Sequence, residues 1–129
     1  MTQRDLDRLA GVHPTMIQKL EPILDQLGMF VIVGVRTTDQ EHDEWLKGRL
    51  PDGTVTDPHA IVTNCDGYKL KSNHQVKDDG YGHAVDCGFD GPHPYAGDFH
   101  AFGLALEAAG LKWGGRFRSP IDLDHAEMP

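Results

Sequence analysis

Met16, Ile17, Leu20, Ile23, Leu24 and Leu27 recur at helical spacing and run almost straight into a short apolar segment, residues 30–33. No second helix–strand alternation follows. A helical period that hands over once to an isolated strand, with no βαβ rhythm, excludes a doubly wound parallel sheet and points to a small α+β domain.

Punctuation residues bound the other elements. Thr2 is placed to cap a first short helix carrying Leu6 and Leu9 and ending at Gly11. Pro14 suits the first turn of the second helix, and Gly28 its end. Pro22 lies inside that pattern, so a kink or a late start is expected there. Thr38 with Glu41 reads as a capping box opening a helix through Trp45 that stops at Gly48. Periodicity then disappears over residues 49–73, a long loop with room for a hairpin pairing 61–62 with 68–70. Long ordered loops in small domains tend to be functional. Residues 84–89 read as a strand, and Asp98 caps a helix through Ala109 with Phe99, Phe102, Leu106 and Ala109 on one face. Segments 111–113 and 125–128 are candidate closing strands.

At 129 residues the chain fits one domain, 1–129, large enough to bury a core without staples. Its formal net charge of −8 argues against nucleic acid and anionic membranes, both of which reward clustered Lys and Arg. Two cysteines, Cys65 and Cys87, make no disulfide framework and are expected to stay unpaired. The start, Met1-Thr2-Gln3-Arg4-Asp5, has no apolar h-region, and no apolar run reaches membrane-spanning length. Synthesis in a cytoplasm without an export signal of its own is the expectation.

Three segments concentrate polar residues that a core does not need. They are 72–86, containing Ser72, His74 and Asp86; 122–127, containing Asp122, Asp124, His125 and Glu127; and 34–37, containing Arg36. Catalytic zinc sites use three N or O ligands and keep a fourth position for water. Two histidines and one carboxylate meet that need, and His74, Asp86 and His125 supply them. They lie 12 and 39 residues apart in sequence, so spacing alone does not select them over other His/Asp combinations.

The ordered pattern Ser72-x-His74 … Gly82-x-Ala84-Val85-Asp86, followed late by Asp122-x-x-His125, resembles the zinc peptidases of the Hedgehog/DD-peptidase fold. These include VanY- and VanX-like D-alanyl-D-alanine peptidases and phage endolysins that cut between L-alanine and D-glutamate. Gly11-Val12-His13-Pro14, Gly34-Val35-Arg36-Thr37 with Gln40, and Trp113-Gly114-Gly115 resemble further family segments in the same order. One departure stands out: Gly82 follows His74 by eight residues, where the family's short form has three. The added polar, glycine-containing loop, 75–81, is expected to run over the surface without moving the ligands.

The resemblance implies a small antiparallel sheet packed against helices and a single zinc peptidase domain acting on the peptidoglycan stem peptide. It implies zinc held by His74, Asp86 and His125, with Asp122 as general base and Asp124 as its rival. Arg36 is implied as a clamp for a substrate carboxylate or oxyanion, the alternative being an ordinary surface Arg. Ser72 is expected to bond near the site. Glu127 either orients a ligand imidazole or forms a salt bridge on a terminal strand. His83 falls on an unspecified motif position and is read as a non-ligand. The phage endolysin branch, an L-alanyl-D-glutamate endopeptidase acting as a monomer in the periplasm, fits a bare domain. D-Alanyl-D-alanine carboxypeptidase is the close rival. A non-haem Fe(II) oxygenase and a metal-free wall-binding module are remoter alternatives. The oxygenase suffers because its His and carboxylate usually sit two apart on a jelly-roll strand.

Overall fold

The computed structural model describes residues 1–129. Its elements in chain order are α1 (Gln3–Arg8), α2 (Pro14–Leu27), β1 (Met29–Val33), α3 (Thr38–Trp45), β2 (Ala84–Phe89), α4 (Phe99–Ala108), β3 (Lys112–Trp113) and β4 (His125–Glu127). The strands form one antiparallel sheet in the order β1-β2-β4-β3. No helix is long and apolar enough to cross a membrane.

Thr2 caps α1 in a capping box completed by Asp5. Leu9 is buried as the periodicity requires, whereas Leu6 is exposed and Asp5 takes an inward position. The reason lies in the edge of the sheet. β1 has a partner on one side only, and Val31 would leave backbone groups unpaired on the other. Asp5 accepts the Val31 N–H at 2.9 Å and Arg8 donates to the Val31 carbonyl at 2.8 Å. The short helix thus seals the edge.

α2 starts at Pro14 and continues through Pro22 rather than starting late, with Gly28 closing it in the left-handed conformation at φ 66°. Met16, Leu20 and Leu24 pack with Val31, Val85, Cys87, Phe102, Leu106 and Trp113 in one core. Cys65 and Cys87 are both free thiols.

Two local expectations are corrected. The capping box of α3 is Thr37 with Gln40, one residue earlier than Thr38 with Glu41. Both pairs have the right spacing, and the choice follows from Glu41, which is fully buried in an ion pair with Arg36 and is not free to return to a cap. The hairpin of 61–62 with 68–70 does not form. Side chains organise that stretch instead: Arg49 donates to the carbonyls of Trp45 and Thr63, and Asp66 accepts the N–H groups of Tyr68, Lys69 and Leu70.

Candidate metal centre

Sheet register brings the first two polar residues together. Asp86 on β2 lies opposite His125 on β4, and directly opposed residues of an antiparallel pair share a face. Val85 and Cys87, which alternate with Asp86, are fully buried in the core. His74 arrives from a loop held by backbone bonds: its carbonyl accepts the Arg36 N–H at 2.9 Å, and the flanking Asn73 carbonyl accepts the His83 N–H at 2.8 Å. Ser72 accepts the His74 N–H at 3.1 Å.

Three atoms converge. His74 Nε2 lies 3.2 Å from Asp86 Oδ1 and 3.2 Å from His125 Nδ1, and His125 Nδ1 lies 3.1 Å from Asp86 Oδ1. The opposite ring nitrogens fix the tautomers. His74 Nδ1 donates to the Gly34 carbonyl at 2.7 Å, and His125 Nε2 donates to Glu127 at 2.8 Å. Neutral rings held this way aim two nitrogen lone pairs at a carboxylate oxygen. One proton cannot serve three acceptors, and a divalent cation can. Ligand atoms on ~2 Å arms of a tetrahedron stand about 3.3 Å apart, close to the triangle seen. His74, Asp86 and His125 therefore fit a metal ion.

Electrostatics support the same focus. Burial pushes the Asp86 carboxyl up, but the bonds and charges of His125 and His74 outweigh it and hold it well below the usual carboxylate range. Burial opposes charge on His125, yet the Asp86 and Glu127 bonds raise its pKa to about 10. Without a metal, a proton thus sits at the centre.

The surrounding polar residues form two chains of contact. Arg36 Nη2 binds Asp86 Oδ2 at 3.1 Å, Arg36 Nη1 binds Glu41 at 3.2 Å, and Glu41 accepts the Thr63 hydroxyl at 3.1 Å. On the other side Asn73 donates to Glu127 at 2.6 Å, so Glu127 joins the neighbour of one histidine to the ring of the other. Thr63 and Asn73 carried no signal of such roles in the sequence, because their partners are 22 and 54 residues away, and Glu41, five residues after Arg36, offered a rival role as a helix cap.

Asp122 is half-exposed, with Oδ2 3.8 Å from His125 Nδ1. Asp124 lies beside it and near Asp86. Burial raises the Asp124 carboxyl first, the Asp122 hydrogen bond and the charges of Asp86 and Asp122 add to it, and its pKa reaches about 9. The turn carrying both is pinned at four backbone points. Asp122 N–H binds the Gly114 carbonyl, the Asp122 carbonyl accepts from His125, Leu123 accepts from the Trp113 indole, and Asp124 accepts from Cys87. A Cβ on Gly114 would strike the Asp122 carbonyl and come within 2.8 Å of His125 Cβ, so only glycine fits there.

His83 is outside this cluster. It pairs with Asp79 at 2.7 Å, and its ring meets His13 edge-on. The added loop closes on itself, Lys77 N–H to the Tyr81 carbonyl at 2.9 Å and Gly80 N–H to the Lys77 carbonyl at 2.9 Å. A cleft of about 230 Å³ opens on His74 and His125 and is lined also by Arg36, Asn64, Lys71, Phe117, Asp122 and Glu127, while Asp86 faces an adjoining cleft.

No family profile matches the sequence, and no curated protein matches it. The fold does match a solved structure, the L-Ala D-Glu endopeptidase ChiX of Serratia marcescens. The TM-score is 0.66 at 20% identity, over 100% of this chain and 89% of that one. At that identity the likeness speaks for the fold alone, and the chain accordingly shares the α+β fold of that endopeptidase over its whole length.

Proposed function

We propose that this protein is a zinc-dependent peptidoglycan peptidase that hydrolyses the L-alanyl-D-glutamate bond of the stem peptide. The observation that carries the reading is the convergence of His74 Nε2, His125 Nδ1 and Asp86 Oδ1 within 3.1–3.2 Å, each ring held by a partner on its far nitrogen. The shared fold with an L-Ala D-Glu endopeptidase supports the substrate class.

A zinc ion held by these three residues would acidify a water molecule and polarise the scissile carbonyl. The chain's own groups do the rest. Asp122, half-exposed on the cleft wall, accepts the proton of the attacking water at its carboxylate and passes it to the departing amine. Asp122 lines the cleft that holds both histidines and Asp124 does not, which favours Asp122 as the base. Glu127 and the Gly34 carbonyl keep the two imidazoles in the ligating tautomer. Arg36 neutralises Asp86 and Glu41 and lines the cleft, where it can also meet a developing oxyanion.

Digestion of purified peptidoglycan, with fragments identified by mass, tests the reading. New D-glutamate amino ends, abolished by chelator and restored by zinc, are expected. Release of free D-alanine alone would replace it with a carboxypeptidase, and an active preparation without bound metal would overturn the mechanism.

A further inference from the structure

The metal ligands lie between two arms of one groove. The arms share Arg36, Val62, Thr63 and Asp122, so these residues form the saddle over which a peptide would cross. Their charge differs. The first arm carries Lys71 with the neutral polar side chains of Asn64 and Ser72, and its one carboxylate not shared with the second, Glu127, is taken up by His125 and Asn73. The second carries Glu44, Asp124 and the exposed ring of Tyr95.

Three cations line the groove. Arg36 is tied to Asp86 and Glu41, and Lys47 to Glu44. Lys71 is exposed and is the one that forms no ion pair, in a chain whose net charge is −8. It sits three residues before the ligand His74. An unpaired ammonium beside a reaction centre favours an anionic group on its own side.

The stem peptide is asymmetric in the same sense. A D-glutamate linked onward through its side-chain carboxyl keeps a free α-carboxylate next to the scissile bond, on the amine side. The acyl side leads through L-alanine to an uncharged sugar ether. We propose that Lys71 is a specificity-determining residue that binds this α-carboxylate. The anionic half of the substrate then lies in the Lys71 arm and the sugar-bearing half in the Tyr95 arm. The assignment rests on the peptidase reading above and fixes the direction of the bound peptide.

Two soluble stem peptides that differ only in carrying an α-carboxylate or an α-amide on D-glutamate test it, with kcat and KM measured separately. The native enzyme should prefer the carboxylate by about tenfold in kcat/KM, the scale of one charge-assisted hydrogen bond, with most of the difference in KM. K71M should make the two peptides equal by removing the advantage of the carboxylate, and K71R should keep most of it. Zinc content and the unfolding midpoint report that each variant is intact. A preference that survives K71M, or an equal loss on both peptides, overturns the role of Lys71 and leaves the peptidase reading standing. Cleavage of neither peptide by the native enzyme overturns both.

Discussion

Arg36 binds the Asp86 oxygen that the two histidines leave free, Nη2 to Oδ2 at 3.1 Å, and spends its other nitrogen on the fully buried Glu41. The guanidinium is thus the counter-charge for two carboxylates. Arg36→Met should lower the unfolding free energy by about 3 kcal/mol, because Glu41 is left charged and unpaired in the interior. It should also weaken metal binding. Denaturant titration with metal analysis checks both, and a variant as stable and as metal-rich as the native protein would mean that Arg36 serves substrate alone.

Asp122 and Asp124 separate by substitution. Asp122→Asn should lower kcat by about 10²–10⁴-fold with zinc retained, the usual contribution of a positioned base. Asp124→Asn should cost far less, since Asp124 does not line the cleft that holds the two histidines. The reverse order of effects would transfer the base role to Asp124.

Glu127 acts through His125. Glu127→Gln keeps an acceptor for the ring N–H but removes the negative charge, and should cost about 10–100-fold in zinc affinity, measured by competition with a chelator. Unchanged affinity would reduce the Glu127–His125 contact to a strand-end ion pair.

Removing the metal should expose two opposite pH dependences. The His125 pKa in the metal-free fold is raised from 6.5 to about 10, so its contribution to stability is full below pH 6.5 and is lost as pH rises through about 10. The Asp86 carboxyl is depressed below 3.8, so its contribution is present above that value and is lost as pH falls through the depressed one. The metal-stripped protein should therefore lose thermal stability both above about pH 6.5 and in acid. Zinc must displace the His125 proton, so apparent affinity should rise by about tenfold per pH unit within that window. A flat melting profile in the metal-stripped protein from pH 6.5 to 10 would show that His125 is not protonated there.

The sequence revealed most about elements whose signal is local. α2 follows its apolar period and its bounding Pro14 and Gly28, and α4 begins at Asp98 as its cap requires. The cluster of His74, Asp86 and His125 became legible through the order of its motifs, since residues as far apart as Asp86 and His125 meet only through strand register. Asp5 and Glu41 were illegible for a related reason. Each is a buried acid whose partner, Val31 or Arg36, belongs to another element. The failed hairpin has the same root: the apolar pair at 61–62 lost to side-chain bonds from Arg49 and Asp66, which no periodicity reports.

The loop after His74 stands clear of the metal centre, and beyond its own bonds it meets the chain through Asp79 and Tyr81 at His83 and His13. Its residues 77–81 are closed by their own backbone bonds, while Gly82 is clamped to Gly11 and His13 beyond it, and the His74 carbonyl to Arg36 before it. Exchanging that short segment for a longer one should leave His74 where it is, since its carbonyl is held by Arg36 before the loop and Gly82 is held beyond it. Chain length can thus vary between Val76 and Gly82 independently of the metal centre.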